Sequence, residues 1–185
     1  MRLYLIRHPR TVAPSQVCYG SSDVQVADHE REMCLRELLA DASLPAGLPV
    51  YSSPLLRCAE LAYELAAAWG VSPPMIDARL SEMHFGDWEL LDWAHIPRAE
   101  IDAWAADMAG FRPGKGECVL DMARRVLAFR SDMAVRGEDA CVVCHAGTIR
   151  LLAAAGKSTN LHDVAEMAAG TPARVGYGQL IVITI

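Results

Sequence analysis

Two histidines in this sequence each follow a short apolar run, and each has the chemistry of a nucleophile, a base or an anion ligand. His8 comes with Arg7 directly after residues 3–6, and His145 comes directly after residues 141–144. Both runs predict buried strands. An unpaired cation beside an imidazole is costly in an apolar core but suits the mouth of an anion site. The alternative for the first pair is a strand end where Arg7 reaches solvent and His8 closes the sheet.

Arg57 and a group of acids add to this chemistry. Ser53 and Pro54 predict the start of a helix, as its N-cap and first helical residue, which places Arg57 in the first turn. That helix end is electropositive, so a lone cation is misplaced there unless an anion binds beside it. Otherwise Arg57 is a solvated surface residue. The acids lie within residues 82–89.

One anion pocket would use all of these groups. Ligands gather outside the carboxyl ends of strands in open α/β sheets, so neighbouring strands would bring His8 and His145 into one crevice. Arg7 and Arg57 can reach the same crevice, and two guanidiniums with two imidazoles favour a phosphate dianion. His8 can attack phosphorus, and an acid from residues 82–89 can protonate the departing oxygen. Taken alone, His145 is equally compatible with a core histidine.

Strands that alternate with helices position these residues. Further strands are predicted over residues 50–52 and 179–185, and helices over 29–40, 54–70, 97–108, 117–136 and 147–155. The apolar side of the first helix would carry Met33, Leu35, Leu38 and Leu39. The alternation indicates an α/β layered domain. Residues 9–28 lack a period and are interpreted as a functional loop, because long loops in compact domains seldom lack a role.

Composition excludes several classes of protein. The 185 residues suffice for a sizeable core, and 52% hydrophobic with 22% charged residues excludes wholesale disorder. The net charge of −6, with scattered basic residues, argues against a nucleic-acid or membrane partner. No apolar stretch approaches the roughly 20 residues that cross a bilayer. No secretory signal is visible at the N-terminus, so we expect a cytoplasmic protein.

The six cysteines are predicted to be free thiols. Cys141 and Cys144 form a C-x-x-C pair beside His145, which invites a metal-binding interpretation. However, positions three apart on a strand face opposite sides. No second ligand pair with zinc-like spacing occurs elsewhere in the sequence. We therefore expect neither a metal nor a cofactor.

Four motifs in the sequence resemble those of the histidine phosphatase superfamily, the group that contains the cofactor-dependent phosphoglycerate mutases. They are Leu5-Ile6-Arg7-His8, Ser52-Ser53-Pro54-Leu55-Leu56-Arg57, Leu80-Ser81-Glu82 with Phe85-Gly86-Asp87-Trp88-Glu89, and Val143-Cys144-His145-Ala146-Gly147-Thr148-Ile149-Arg150. The resemblance implies a phosphoglycerate mutase-like fold, a three-layer α/β/α sandwich with a mostly parallel central sheet. Residues 1–185 would form one domain, with a substrate-covering insert around 73–116.

The resemblance also implies a mechanism of phosphate transfer. His8 would be the nucleophile that becomes a phosphohistidine. Arg7, Arg57 and His145 would hold the transferring phosphoryl group. Because phosphoryl transfer depends mainly on positioning and charge stabilisation, the two arginines would suffice without a metal.

The acid is assigned on the same resemblance. Glu82 would give a proton to the leaving oxygen of a small phosphorylated substrate and later activate water as a base. Asp87 and Glu89 are close in sequence and are its rivals. Trp88 and Trp93 are interpreted as packing residues rather than platforms for the substrate.

Departures from the common pattern point to one branch of the superfamily. Pro9 stands where glycine is usual and removes an amide donor. Cys118 replaces a serine, and Leu90 replaces the glycine usual after Trp-Glu. The segments that resemble the α-ribazole phosphatases are Arg7-His8-Pro9, Cys18-Tyr19-Gly20-Ser21-Ser22-Asp23, Ile96-Pro97-Arg98 with Trp104, and Gly114-Lys115-Gly116-Glu117.

That branch implies hydrolysis of α-ribazole 5′-phosphate to α-ribazole, a reaction of cobalamin biosynthesis. The nearest alternatives are a mutase or a sugar-phosphate phosphatase on the same scaffold, followed by a phosphohistidine-protein phosphatase. From a different class, the chain would be an inactive phosphate-binding protein.

Overall fold

The computed structural model describes residues 1–171 and 174–185, which form a mixed α/β fold. Five strands are present in these residues: β1 (Arg2–Arg7), β2 (Val50–Ser52), β3 (Met75–Ile76), β4 (Ala140–Cys144) and β5 (Leu180–Thr184). The six α-helices in the same residues are α1 (Asp28–Ala40), α2 (Leu56–Trp69), α3 (Arg98–Ala106), α4 (Val119–Arg136), α5 (Ala146–Ala154) and α6 (Leu161–Gly170). Short 3-10 turns occur at Ala78–Leu80, Gly86–Trp88, Trp93–His95 and Pro113–Lys115.

The sheet brings the two strands that precede the histidines side by side. Its strand order is β3-β2-β4-β1-β5, and every pair is parallel except β1 with β5. Arg7 on β1 is in register with Cys144 on β4, so both strands end at the same level. The amide of His8 donates to the carbonyl of Cys144 at 3.0 Å. The predicted, mostly parallel sheet is confirmed, and β1 and β4 are neighbours, as a shared crevice for His8 and His145 requires.

Each face of the sheet is covered by helices, which gives the expected three layers. Leu3 and Leu5 pack with residues of α4, α5 and α6, whereas Tyr4 and Ile6 pack with residues of α1 and α2. The alternation follows from the two-residue repeat of a strand. Since β1 faces helices on both sides, all four of these side chains are buried.

The pair Cys141 and Cys144 follows the same alternation. Cys141 lies in the core under α2, and Cys144 lies in the core under α4 and α5. They therefore face opposite sides of the sheet, as the sequence predicts. All six cysteines are buried free thiols, which confirms that prediction.

The predicted apolar side of α1 is partly wrong. Cys34 and Leu38 are buried, whereas Met33 and Leu39 are 41% and 46% exposed. Residues four apart lie on one line along a helix, and neighbours one residue further are turned about 100° away. The helix therefore buries a narrow stripe against α2.

The start of α2 is also wrong, by two residues. The helix begins at Leu56, and Leu55 is its N-cap without a side-chain capping bond. Ser53 lies outside the helix, where its hydroxyl is 2.8 Å from Nε2 of His145 and accepts from the amide of Leu55 at 3.3 Å. Arg57 still falls in the first turn, and the predicted stop at Gly70 is confirmed by its left-handed conformation.

Two elements of the structure, α6 and β3, are not predicted from the sequence. A signal for α6 is present in the sequence: Asn160 caps it by accepting from the amides of His162 and Asp163. Val164 and Ala168, four residues apart, form its buried stripe. The two-residue strand β3 carries only the exposed pair Met75 and Ile76 and has no comparable signal. In the described part of the chain, no helix is long and apolar enough to cross a bilayer.

Candidate active site

His8 is held in one tautomer at the end of β1. Its Nδ1 lies 2.8 Å from the carbonyl oxygen of Pro9, which can only accept a hydrogen bond. Nδ1 therefore carries the proton and Nε2 keeps the lone pair. Pro9, which removes an amide, retains the carbonyl that sets this tautomer. The substitution of proline for the usual glycine leaves that function intact.

The environment of His8 keeps the ring neutral. Burial is the main cause that lowers its pKa to about 3, and the nearby positive charge of Arg57 contributes further. The ring is only 2% exposed. A neutral imidazole with a free Nε2 is the form that can act as a nucleophile.

His145 takes the opposite tautomer at the end of β4. Its Nδ1 accepts from Nε of Arg57 at 3.3 Å, so Nε2 carries the proton and donates to Ser53 Oγ at 2.8 Å. Burial is the main cause that lowers the pKa of His145 well below its usual value. Its ring lies 5.2 Å from that of His8, centroid to centroid. The two imidazoles are therefore neighbouring neutral rings in opposite tautomers.

These two lowered pKa values predict a loss of stability in acid. Below pH 6.5 the unfolded chain binds protons that the folded His8 and His145 exclude, so the free energy of unfolding falls as the pH falls. Each histidine contributes a slope of about 1.4 kcal/mol per pH unit. In His8→Gln the slope between about pH 6.5 and pH 5 should be smaller by about that amount. Urea unfolding across this range measures it, and equal slopes in the two proteins would contradict a buried, neutral His8.

Arg57 joins the histidines to the long loop of residues 9–27. The side chain is fully buried, and its Nη1 and Nη2 donate to the carbonyls of Ser22 and Gly20 at 2.7 and 2.5 Å. Its Nε donates to His145, and its Cζ lies 5.1 Å from the ring of Tyr19. The guanidinium therefore organises both a strand end and the loop. The carboxylate of Asp23 adds to this attachment by accepting from the amide of Leu56 at the start of α2.

Arg7 lies beside His8 under an aromatic ring. Its Cζ is 3.9 Å from the ring centroid of Tyr177, and its Nη1 donates to the carbonyl of Val175. The ring of Tyr177 also lies 5.6 Å from that of His8, and its hydroxyl is 3.2 Å from that of Tyr19. In the described residues the buried Nε of Arg7 has no hydrogen-bond partner. Arg7 therefore retains donor capacity beside His8.

The three acids of residues 82–89 have different environments. Glu82 is half-buried, and its carboxylate accepts from the amides of Met83 and Gly147 at 3.1 and 3.3 Å. Asp87 is exposed and pairs with Lys115. Of the three, only Glu82 lies among the residues that line the cavity described below.

Glu89 has a structural contact set instead. It accepts from the amides of Ser21 and Phe85 and from the hydroxyls of Ser21 and Ser22. Although burial opposes the shift, these hydrogen bonds hold the pKa of Glu89 below its usual value. The carboxylate thus ties the loop of residues 9–27 to residues 85–89.

Leu90 marks the same junction. Its amide donates to the carbonyl of Cys18 at 2.6 Å, and its φ is +65°. This left-handed conformation costs an L-residue about 1–2 kcal/mol and costs glycine little. The geometry explains why glycine is usual here, and the Leu90 side chain, 62% exposed, meets no packing demand that would require leucine.

A cavity of about 410 Å³ opens at the ends of β1 and β4. Its polar lining includes Arg7, His8, Glu82 and Arg150. Its apolar lining comes from several segments and includes Tyr19, Met83, Phe85, Trp93, Trp104, Met108 and Tyr177. Trp93 and Trp104 stack with an interplanar angle of 5°, so Trp93 both packs and lines the cavity. Trp88 is buried in the same aromatic cluster, donates from Nε1 to the carboxylate of Glu100 at 2.7 Å, and does not line the cavity.

The structure therefore brings the five candidate residues together, but not equally. Arg7, His8 and Glu82 reach the cavity, whereas Arg57 and His145 are fully buried directly beside it. The sequence offered no chemical reason to select Tyr177; its two flanking glycines are the sole hint. In residues 1–171 and 174–185, no group of three histidine, cysteine, aspartate or glutamate side chains is placed to hold a metal ion.

A mostly parallel sheet that brings Arg7 and His8 to one cavity, with His145 buried directly beside it, suits an enzyme that handles phosphate, and comparison with known families agrees. The family model of the histidine phosphatase superfamily (branch 1) matches residues 3–175, and the chain belongs to this superfamily. It is a phosphatase, and the fold predicted from the motifs is confirmed.

Two characterised relatives differ in their substrates. The chain is 33% identical over 169 residues to a glucosyl-3-phosphoglycerate phosphatase of Mycolicibacterium vanbaalenii, covering 83% of this chain and 73% of that protein. It is 31% identical over 162 residues to an adenosylcobalamin/α-ribazole phosphatase of Salmonella typhimurium, covering 83% and 78%. The crystal structure of α-ribazole phosphatase from Shigella flexneri superimposes with a TM-score of 0.81 at 26% identity, covering 100% and 91%.

Proposed function

We propose that this phosphatase is a metal-independent phosphomonoesterase that works through a phosphohistidine on His8. Nε2 of His8 attacks phosphorus, the ester P–O bond breaks, and Glu82 gives a proton to the departing oxygen. A water molecule then attacks the phosphohistidine, Glu82 takes its proton, and the N–P bond breaks to release phosphate. The lone pair on Nε2, fixed by the bond from Nδ1 to Pro9, supports the first step.

The charge of the transferring group is balanced by its neighbours in this mechanism. Arg7 contributes a buried Nε donor that lacks a partner in the described residues, and an unpaired buried donor is costly unless a ligand satisfies it. Arg57 contributes a second guanidinium. His145 contributes the N–H group at Nε2, which is the one donor on its neutral ring. In this structure that group donates to Ser53. Such preorganised donors are what phosphoryl transfer requires.

The proposed substrate is α-ribazole 5′-phosphate. The observation that carries this choice is the aromatic wall formed by Phe85, Trp93 and Trp104, which contact one another and line the same cavity as His8. An azole base offers a flat face to such a wall, and a 5′-phosphate places the ester at the opposite end. In this proposal residues 1–185 act as one domain, and residues 73–116, which supply these aromatics, cover the substrate.

The second candidate substrate is glucosyl-3-phosphoglycerate, because the relative from Mycolicibacterium vanbaalenii is named for it. That molecule is a sugar acid without an aromatic ring. The two candidates therefore differ in the group that would meet the aromatic wall.

A comparison of substrates tests the choice. Ribose 5-phosphate is the matched control, since it carries the same phosphate position without the base. We expect kcat/KM for α-ribazole 5′-phosphate to exceed that for ribose 5-phosphate by at least about tenfold, the order of one base stacked on an aromatic side chain. Trp104→Leu should reduce this ratio while leaving turnover of ribose 5-phosphate unchanged. Equal rates for the two esters would contradict recognition of the base, and a preference for glucosyl-3-phosphoglycerate would favour the second candidate.

A further inference from the structure

Residues 79–82, which carry the proposed acid, are held by side chains from two helices. Each of the four carbonyl oxygens in this segment accepts a side-chain hydrogen bond. Arg125 on α4 donates from Nη1 to the carbonyls of Arg79 and Ser81 at 2.8 and 2.6 Å, and from Nη2 to that of Glu82 at 3.2 Å. Thr148 on α5 donates to the carbonyl of Leu80 at 3.1 Å. The segment after Leu80 has no regular secondary structure, so these bonds define its path.

Arg125 is itself fixed in orientation. Its Nε and Nη2 donate to Oε1 and Oε2 of Glu117, both at 2.8 Å. The two side chains are only 21% and 18% exposed. A bidentate pair of this kind specifies the direction of a guanidinium as well as its place. The remaining N–H groups are therefore aimed at residues 79–82 before any substrate arrives.

The carboxylate of Glu82 sits at the end of this arrangement. Its two oxygens accept from the amides of Met83 and Gly147, and a Cβ added at Gly147 would collide with Oε1. The carboxylate thus has little room, and a shift of its backbone would move it within the cavity. Misplacing a reacting group by about 1 Å can cost on the order of a hundredfold in rate.

We propose that Arg125, assisted by Thr148, is a positioning residue that holds Glu82 in place for proton transfer to the leaving oxygen. This inference rests on the proposed role of Glu82. Arg125 does not line the cavity that contains Arg7 and His8; it lines a second cavity, next to Glu82 and Glu117, and acts through the backbone of residues 79–82. Lysine cannot replace it fully, because an ammonium lacks the planar fork that reaches Glu117 and the carbonyls together.

The test uses the dependence of rate on the leaving group. A p-nitrophenolate leaves without much help from an acid, whereas a simple alkoxide needs a proton. The measured quantity is kcat/KM, because it depends only on the steps up to cleavage of the ester, whereas kcat also includes hydrolysis of the phosphohistidine, which is the same for both esters. We expect Arg125→Lys and Thr148→Val to lower kcat/KM for an alkyl phosphate at least about tenfold more than kcat/KM for p-nitrophenyl phosphate, a smaller effect than full misplacement of the acid. The control is Arg124→Lys, the same change one residue earlier on α4, where the side chain is 61% exposed and pairs with Asp121. It should leave both rates unchanged.

Glu82→Gln, measured with the same two esters, separates the possible failures. If Glu82→Gln is selective for the alkyl ester but the Arg125 and Thr148 variants slow both esters equally, their role is merely structural and only the positioning proposal fails. If Glu82→Gln shows no selectivity, the assignment of the acid fails and the positioning proposal fails with it. The two substitutions are independent, since Thr148→Val retains Arg125. If one variant fails to fold, the other still tests the positioning proposal.

Discussion

Replacing His8 with glutamine is expected to abolish turnover, lowering kcat by at least about a thousandfold, as loss of a nucleophile does in enzymes with covalent intermediates. The amide of glutamine can still donate to the carbonyl of Pro9, so the fold around β1 should persist. Glutamine lacks the nucleophilic lone pair that His8 has on Nε2 when its Nδ1 donates to Pro9. Initial rates with p-nitrophenyl phosphate measure the effect, since this ester places the least demand on the acid.

Trapping the phosphohistidine tests directly whether His8 is the nucleophile. Rapid acid-free quenching of the parent enzyme should yield a phosphoenzyme with the phosphate on residue 8, and His8→Gln should yield none. His29→Gln is the matched control, because His29 lies on α1 with its side chain 80% exposed. Retained turnover in the His8 variant, or a phosphate mapped to His145, would overturn the assignment of the nucleophile.

The parts of the site that could be predicted from the sequence are those that depend on local rules. The runs before His8 and His145 are apolar and short, so their strands follow from burial alone. Parallel strands end at one edge, which places both imidazoles together without knowledge of any contact. The order of the four motifs then gave the family, and the matching family model supports it.

Tertiary contacts decided the features that were missed. Ser53 has the sequence context of an N-cap, but α2 begins at Leu56 and the hydroxyl of Ser53 contacts His145, 92 positions later in the chain. Arg125 is one basic residue on a charged helix, and nothing local distinguishes it from Arg124. Its bonds reach residues more than 40 positions earlier in the chain. Contacts of this range depend on the packing of α4 against an irregular segment, which no periodicity encodes.

Replacing Glu82 with glutamine is expected to lower kcat for an alkyl phosphate by about 10²- to 10⁴-fold, the range over which general acids and bases contribute. The amide has nearly the shape of the carboxyl group, but only its oxygen can accept, so it keeps the bond from the amide of Met83 or of Gly147 and loses the other. Stability should therefore fall only by about the 0.5–1.5 kcal/mol of one hydrogen bond. Because the same group activates water in the second step, slow breakdown of the phosphohistidine should let the phosphoenzyme accumulate even with p-nitrophenyl phosphate.

Asp87→Asn is the matched control for this experiment. Asp87 lies in the same segment but is exposed, pairs with Lys115 and does not line the cavity. It should keep the parent rate with both esters. Glu89 is a less suitable control, because its carboxylate ties Ser21 and Ser22 to Phe85 and its loss would disturb the loop. If Asp87→Asn lost activity and Glu82→Gln kept it, the acid would have to be reassigned, and the bonds that Arg125 makes to residues 79–82 would be structural alone.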